Sequence, residues 1–336
     1  MKPSWKEQRV LVTGGTGFIG SFFVERLLQE GARVRVPIRA ENYRSLSARR
    51  SEIEWMDGDL RDSDYCRTLT DGVDFVFHLA SCRRTPKYHE DKCSGVLTEN
   101  VRMTLSLIEG LREHPEIPVM FLSTANIPPK SDVIDLAKQE HLDGYILGKA
   151  LSELHWFVAS RERGFPLLIV RPVGIYGPRD RFADDGNIIP AIAFKAQKAK
   201  DVLTLWGTGK AERTFLYVED AVQAVFALIE AKAVGVQYLT HASTITLKEL
   251  AEQIRDIVKP SLPIAFDSSH HVGIRTIPRL PVHKNLRAFP WTEIDEGVKR
   301  TMEWWMHSSS RPVARASRTR SNGRPRPFEK PVIGRG

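Results

Sequence analysis

The sequence is poor in cysteine and has no long apolar run. Its three cysteines, Cys66, Cys82 and Cys93, lack the spacing of a disulfide framework or a metal site, which is typical of a reducing compartment. Without a stretch of about 18 apolar residues, no transmembrane helix is predicted. Residues 1–9 are polar and do not resemble a secretory signal peptide. We therefore expect a cytoplasmic protein that neither contacts a membrane nor binds a metal.

The net charge of +8 is concentrated at one end of the chain. Residues 308–336 contain seven arginines, Lys330 and the single acid Glu329, so they carry +7 and leave +1 for residues 1–307. This segment is rich in Pro, Ser and Gly and has almost no apolar periodicity, which predicts a basic disordered tail. Salt-sensitive nucleic-acid binding would depend on this tail alone. A solvated extension is the preferred interpretation, so we expect no nucleic-acid partner.

Short apolar runs alternate with helical patterns over the first 170 residues. Strands that alternate with helices form a parallel sheet covered on both faces. The sequence therefore predicts an α/β fold with a doubly wound parallel Rossmann sheet. The predicted strands are 9–13, 33–38, 53–56, 75–79, 119–123 and 167–171, and the predicted helices are 18–30, 100–112 and 145–163.

The pattern becomes irregular after residue 171, where Pro and Gly residues mark loops. Helical stretches follow at 188–199, 219–231, 247–258 and 293–305, with short β-like runs between them. We predict a domain built on the parallel sheet over 8–172 and a smaller C-terminal α/β lobe over 173–307, with some chain crossing between them. The basic tail then occupies 308–336.

A glycine-rich turn follows the first predicted strand, in the run V-L-V-T-G-G-T-G-F-I-G at 10–20. Gly14, Gly17 and Gly20 are three residues apart, between a strand and a helix. Glycine at such positions permits a tight turn and lets backbone N–H groups approach a pyrophosphate, and the helix N-terminus favours the anion. The turn therefore indicates dinucleotide binding. The alternative is a glycine-rich turn that binds nothing.

The end of the second strand bears on the choice of dinucleotide. A carboxylate here would accept the ribose hydroxyls of NAD, but the position holds Ile38 and Arg39 follows it. A guanidinium can pair with a 2′-phosphate through two hydrogen bonds, so NADP is favoured over NAD. Asp59, in G-D-L-R-D at 58–62, is placed to hydrogen-bond adenine. The alternatives are a solvated Arg39 and a helix N-cap at Asp59.

The third motif is Tyr145-x-x-x-Lys149 in a predicted helix. Residues four apart share one face of a helix. A phenol with the usual pKa near 10 is a poor base at neutral pH, and a neighbouring ammonium favours the phenolate. The pair is therefore suited to general acid/base catalysis on an alcohol–ketone couple. The spacing is common by chance, but this one follows the fifth strand, downstream of a dinucleotide turn.

These motifs occur in the order found in a known family. The chain resembles the extended short-chain dehydrogenase/reductase family, in its NAD-dependent epimerase/dehydratase group, over about residues 8–305. Besides the glycine turn, G-D-L-R-D and Y-I-L-G-K (145–149), the matching segments are F-H-L-A (77–80), E-N-V (99–101), F-L-S-T-A (121–125), R-P-V-G-I-Y-G-P (171–178), E-R-T-F-L-Y-V-E-D (212–220), T-L-K-E-L (246–250) and G-V-K-R-T-M-E-W-W (297–305).

The resemblance implies roles for individual residues. Thr124 matches the hydroxyl that orients the reacting oxygen, and Tyr145 and Lys149 match the acid/base pair, with Lys149 also binding the nicotinamide ribose. Arg213 matches an arginine that meets the substrate diphosphate. The alternatives are a backbone-capping hydroxyl at Thr124 and a surface salt bridge at Arg213. The implied cofactor contacts are Gly14, Thr16, Gly17, Phe18, Ile19, Gly20, Arg39, Asp59, Leu60, Leu79, Ala80, Ser81, Tyr145, Lys149 and Pro172.

Departures from the family pattern narrow the reaction. Family dehydratases carry an Asp–Glu pair after the catalytic Thr, and this chain has Ala125 and Asn126. The segments around 123–130 and 177–190 look most like the GDP-fucose synthase branch, whose Cys and His acid/base positions hold Asn126 and Asn187 here. Asn187 is therefore expected to bind substrate rather than to move protons.

The resemblance then implies a 4-ketoreductase or 4-epimerase of a nucleotide-linked sugar, using NADP or, alternatively, NAD. The Rossmann domain over 8–172 would bind the dinucleotide, and the lobe over 173–307 would bind the substrate. Two other interpretations stay open: a reductase of a non-sugar ketone, and a non-catalytic NAD(P)-binding sensor. The family also implies a homodimer formed through the helices at about 95–112 and 145–163.

Overall fold

The computed structural model describes residues 4–39, 44–82, 92–127, 143–269 and 280–309. Residues 310–336, most of the predicted basic tail, therefore lie outside the described part of the chain. The last helix runs to Ser309, two residues into the segment predicted as tail. None of the described helices is long and apolar enough to cross a membrane.

A seven-stranded sheet forms the centre of the fold, and all its pairings are parallel. Its order is β11-β6-β5-β4-β1-β2-β3. The predicted doubly wound α/β fold is confirmed. The strands are β1 (Arg9–Thr13), β2 (Arg33–Ile38), β3 (Ile53–Asp57), β4 (Phe75–His78), β5 (Val119–Leu122), β6 (Leu167–Pro172) and β11 (Gly235–Leu239).

Helices cover both faces of this sheet, and the alternation of side chains along β1 shows how. The helices in the described part of the chain are α1 (Phe18–Gln29), α2 (Ser63–Thr70), α3 (Cys93–Gly110), α4 (Gly144–Arg163), α5 (Ile188–Lys198), α6 (Val218–Glu230), α7 (Leu247–Val258) and α8 (Ile294–Ser309), with 3₁₀ turns at Arg44–Glu52 and Lys284–Leu286. Val10 and Val12 belong to the core that α1 and α6 complete, whereas Leu11 packs with Leu107 of α3 and Trp156 of α4.

Helix α4 begins and ends for clear local reasons. The Asp143 carboxylate caps its first turn by accepting the N–H groups of Tyr145 (2.9 Å) and Ile146 (3.3 Å). Gly164 ends the helix in the left-handed conformation, with φ +85°. Helix α3 runs alongside at very short range, because a Cβ on Gly144 would lie 2.0 Å from the Cys93 carbonyl oxygen.

A second apolar core lies after β6 in the chain. It contains Tyr176, Ile192, Leu250, Val298 and Trp305. Strand β11 then returns to the large sheet beside β6. Three small sheets join the short strands β7 (Gly174–Tyr176) to β10 (Phe215–Tyr217), β9 (Glu212–Arg213) to β12 (Ile245–Thr246), and β8 (Leu203–Trp206) to β13 (Ile264–Asp267).

Candidate active site

The carboxyl ends of β1, β4 and β5 lie side by side, because these strands are parallel neighbours in the sheet. In open α/β sheets, ligands bind at this edge. The buried Thr13 hydroxyl at the end of β1 accepts the N–H groups of Leu79 and Ala80, each at 3.2 Å. The glycine turn and the loop after β4 are therefore fixed to one another.

The glycine turn is built so closely that side chains would not fit. Gly14 has φ +72°, and a Cβ there would lie 2.8 Å from the Ala80 nitrogen. A Cβ on Gly20 would lie 2.1 Å from the Gly14 carbonyl oxygen. Gly17 is the N-cap of α1, and because glycine has no side chain, no side-chain cap hydrogen bond is made to the N–H groups of the first helical turn. This cradle fits a dinucleotide pyrophosphate, with Thr16 half-buried in the turn and Phe18 and Ile19 half-buried in the first turn of α1.

A buried hydroxyl lies directly after β5, and sequence reasoning missed it. Ser123 is 3% exposed. Its hydroxyl has no hydrogen-bond partner in the described part of the chain, although its N–H donates to the Val170 carbonyl oxygen at 2.7 Å. Leaving such a group unpaired is costly. Its place directly before Thr124 is the only feature of the sequence that could have indicated it.

The loop after β4 is fixed from below by another residue that sequence reasoning did not single out. Asn100 of α3 is 3% exposed. Its side-chain oxygen accepts the Ser81 hydroxyl at 2.8 Å and the Cys82 N–H at 3.0 Å, and its amide donates to the Cys82 carbonyl oxygen at 3.1 Å. Leu79, Ala80 and Ser81, the predicted cofactor contacts, are thus held in one conformation.

The residues predicted to select the dinucleotide lie beyond β2 and β3. Asp59 is bound by Arg61, whose Nε lies 3.0 and 3.1 Å from the two carboxylate oxygens, and this guanidinium lowers the pKa of Asp59 to about 2. The side chain of Arg39 is 68% exposed, with Nη1 3.8 Å from Asp59 Oδ2. Asp59 is therefore ionised at neutral pH and shared by two cations, while Leu60 packs half-buried on the sheet.

The predicted acid/base pair is held against the end of β5. Lys149 is 3% exposed, and its ammonium donates to the Leu122 carbonyl oxygen at 2.6 Å. The same nitrogen lies 4.6 Å from the Phe121 ring centroid and 5.9 Å from that of Tyr145. One face of α4 thus places a buried ammonium beside a half-buried phenol. The Leu122 carbonyl oxygen, which accepts this ammonium, lies two residues before Thr124 in the chain.

Thr124 is 7% exposed, and its hydroxyl oxygen accepts the Asn126 N–H at 3.2 Å. The backbone-capping alternative is therefore part of the observed geometry. It does not exclude the predicted role, because the hydroxyl keeps its own hydrogen to donate. The following residue is tied to β6, since the Ala125 N–H donates to the carbonyl oxygen of buried Pro172 at 2.9 Å.

The predicted substrate residues lie in the elements after β6, separate in the chain from the Tyr–Lys helix. Asn187 is the N-cap of α5, and its amide donates to the carboxylate of Asp180 at 2.9 and 3.1 Å. Arg213 lies in β9 and donates to the Glu212 carbonyl oxygen at 2.8 Å. In the described residues, no group of three or more His, Cys, Asp and Glu side chains is placed to hold a metal ion.

Comparison with known proteins identifies the family of the chain. The sequence pattern of the NAD dependent epimerase/dehydratase family matches residues 10–239. The chain belongs to this family. A dTDP-4-dehydro-6-deoxy-D-allose reductase from a Streptomyces species is 27% identical, over 80% of this chain and 87% of the reductase. UDP-glucuronic acid decarboxylase 1 from Arabidopsis thaliana is 29% identical, over 78% of this chain and 61% of that protein.

The fold of this family member is also that of solved structures. UDP-glucose 4-epimerase from Thermotoga maritima, in a structure with UDP-glucose, superposes with a TM-score of 0.75 at 21% identity, covering 90% of this chain and all of the epimerase. At this identity the likeness concerns the fold. The epimerase thus shares the overall arrangement of the sheet and helices described above.

Proposed function

We propose that this protein is an NAD(P)-dependent oxidoreductase that acts at a carbonyl or alcohol carbon of a nucleotide-linked sugar, as a 4-ketoreductase or a 4-epimerase. The observation that carries the proposal is the Tyr145–Lys149 pair, with a buried ammonium 5.9 Å from the phenol ring and pinned to Leu122 at the end of β5. The similar reductase acts, by its name, on a dTDP-linked 4-dehydro sugar. This supports a sugar nucleotide over a non-sugar ketone.

The chain supplies the proton and the orientation. Tyr145 gives a proton to the sugar oxygen during reduction or takes one during oxidation, and the Lys149 ammonium lies beside its ring on the same face of α4. The Thr124 hydroxyl donates a hydrogen bond to the same oxygen. When bound, the nicotinamide supplies or accepts the hydride. Gly14, Gly17 and the first turn of α1 would hold its pyrophosphate, and Leu79, Ala80 and Ser81 would line its path.

Among the described residues, the two that follow Thr124 cannot remove water from the sugar, so we propose a reaction limited to the alcohol–ketone step. The next two side chains are the methyl group of buried Ala125 and the amide of exposed Asn126. Neither is an acid or a base at neutral pH. The presence of both the tyrosine and the lysine also opposes the non-catalytic sensor, which would not need them.

Cofactor titration of wild type and Arg39→Ala tests the first half of this proposal. We propose NADP as the cofactor, because the mostly exposed Arg39 directly follows β2, at the strand end where the adenosine ribose of the cofactor is expected to bind. Losing a charge-assisted hydrogen bond costs about 1.5–3 kcal/mol, so NADPH binding should weaken roughly 10- to 100-fold while NADH binding is unchanged. Fluorescence titration measures both. Arg33→Ala, at the opposite end of β2 and 64% exposed, is the matched control.

Turnover of a substrate panel completes that experiment. UDP- and dTDP-linked 4-keto sugars that consume NADPH identify a reductase. Interconversion of UDP-glucose and UDP-galactose without net cofactor consumption identifies an epimerase, and selective NADH binding would favour this outcome. Arg213 and Asn187 are proposed to contact the nucleotide diphosphate and the sugar. Failure to bind either dinucleotide would refute the enzymatic proposal.

A homodimer is the proposed assembly, because neighbouring helices expose apolar side chains. Leu105 of α3 is 41% exposed, and Leu154, Phe157 and Val158 of α4 are 51, 51 and 53% exposed. Exposed apolar side chains on two helices that pack together are typical of an interaction surface. We expect wild type to sediment as a dimer and Phe157→Glu as a monomer in analytical ultracentrifugation. Val234→Glu, at another 60% exposed apolar position, should remain dimeric; a monomeric wild type would contradict the proposal.

A further inference from the structure

A buried ion pair lies one helical turn beyond Lys149. Glu153 of α4 and Arg171 of β6 have side chains that are 8% and 12% exposed. The Arg171 Nε lies 2.9 Å from Glu153 Oε1, and Nη2 lies 2.5 Å from Oε2, so both oxygens are engaged. Such paired contacts fix the relative orientation of the two groups as well as their distance.

The same guanidinium has two more partners, and they belong to different parts of the fold. Its Nη1 donates to the Tyr238 hydroxyl of β11 at 2.7 Å and to the Ile127 carbonyl oxygen at 3.2 Å. Arg171 therefore joins α4, β6, β11 and the end of the segment that follows β5. The carboxylate of Glu153 compensates the positive charge of Arg171 at this buried position.

The segment that carries Thr124 is consequently held at both ends from α4. At its beginning, the Leu122 carbonyl oxygen accepts the Lys149 ammonium at 2.6 Å. At its end, the Ile127 carbonyl oxygen accepts Arg171, which Glu153 positions. Residues 149 and 153 are four apart and share a face of the helix that also carries Tyr145. The positions of the Thr124 hydroxyl and the Tyr145 phenol are thus both set by helix α4.

We propose that Glu153 and Arg171 are positioning residues of the hydride-transfer site: the pair holds the 123–127 segment, and with it the Thr124 hydroxyl, at a fixed place relative to Tyr145 and Lys149. In this proposal the pair acts through Thr124 and not by contact with substrate or cofactor, so the proposal rests on the proposed function of that hydroxyl. Displacement of a positioned group by about 1 Å can lower a rate roughly 100-fold, which is why such a fixed frame matters.

A variant that removes both charges tests this without stranding either one in the interior. Glu153→Leu with Arg171→Met keeps the volume and the apolar stems, and such exchanges of a buried pair often preserve the fold. Hydrogen–deuterium exchange of the full chain, followed in peptides covering 119–127, is the first measurement. We expect severalfold faster exchange of the amides of residues 123–127, with the other strands of the sheet unchanged.

A matched control separates this effect from general loosening. Arg35 is also buried and pairs with Glu54 at 2.9 Å, but its remaining partners are the Leu69 and Asp71 carbonyl oxygens, far from Thr124 along the sheet. Glu54→Leu with Arg35→Met should leave exchange at 123–127 unchanged. If the Glu153/Arg171 variant does not fold, Arg171→Lys and Tyr238→Phe apply the same test more mildly. Unchanged exchange at 123–127 in a folded variant overturns the proposal.

Kinetics on an active 4-keto sugar nucleotide give the second, independent readout. We expect the Glu153/Arg171 variant to lose about 10- to 100-fold in kcat with little change in KM for NADPH, and to lose much less in a Thr124→Ala background. Equal losses in both backgrounds would show that the pair does not act through Thr124. A wild type that turns over no nucleotide sugar would refute the proposed function instead, while the exchange result would still decide the positioning role.

Discussion

Replacing Tyr145 by Phe is expected to lower turnover by about 100- to 10,000-fold, the usual contribution of a positioned general acid or base. The substitution removes only the hydroxyl, and the ring keeps its place in the small core with Ile146 and Leu147. The Lys149 ammonium keeps its hydrogen bond to the Leu122 carbonyl oxygen, because that contact does not involve the phenol. NADPH affinity, measured by fluorescence titration, should fall far less than turnover, because Tyr145 is only one of the implied cofactor contacts.

Tyr65→Phe is the control for this prediction. The Tyr65 hydroxyl donates to the Met56 carbonyl oxygen at 2.8 Å below the predicted adenine position, and burial raises the pKa of its phenol well above the usual value. The phenol is therefore not ionised at neutral pH. Removing its hydroxyl should cost about 1 kcal/mol of folding stability through the lost hydrogen bond and should leave turnover unchanged. Full activity in Tyr145→Phe would show that another group moves the proton.

Local spacing made part of this site predictable. The glycine turn, the Tyr–Lys pair and the alternation of strands and helices are contiguous patterns with a period of their own, and the structure confirms the fold they predict. The segment after β5 was harder to predict, because Ser123 has no pattern that distinguishes a buried, unpaired hydroxyl from an ordinary one. The burial of Ser123 depends on packing beside β6, where its N–H donates to the Val170 carbonyl oxygen, and this contact is long-range in the sequence.

Other features could not be predicted because they depend on tertiary packing. Strand β11 adds to the sheet beside β6, although 62 residues separate Pro172 from Gly235. Helix α3 begins at Cys93, seven residues before the predicted start at Asn100, and it does so over residues with poor helical propensity. Its close contact with Gly144 of α4 provides the stabilisation that local sequence does not.

The pairing of Asp59 with Arg61 was also missed, for a reason that lies in the turn itself. The two residues are only two apart in G-D-L-R-D, and this spacing alone does not indicate a contact between their side chains. The turn after β3 brings them together, and Arg61 binds both carboxylate oxygens. The N-cap of α2 is Asp62 instead of Asp59, and its carboxylate accepts the N–H groups of Asp64 and Tyr65. Asp59 thus keeps an ionised carboxylate at the predicted adenine position.

The second large effect is expected from Gly20→Ala. A methyl group on this residue would lie 2.1 Å from the Gly14 carbonyl oxygen and 2.9 Å from the Gly15 Cα, both of them backbone. Backbone cannot rotate aside as a side chain can, so α1 must move away from the turn. Such overpacking lowers the free energy of unfolding by about 1–3 kcal/mol. The displaced N-terminus of α1 should also lose NADPH binding in the fluorescence titration.

Gly95→Ala is the matched control. It makes the same chemical change in helix α3, at a position where a Cβ would meet no described atom within 4 Å. Alanine favours helix over glycine by about 1 kcal/mol, so this variant should be slightly more stable than wild type and bind NADPH normally. Thermal unfolding and titration of both variants distinguish the two effects. If Gly20→Ala were destabilised yet bound NADPH as tightly as wild type, the turn would be a packing device only, and the pyrophosphate would have to lie elsewhere along the strand ends.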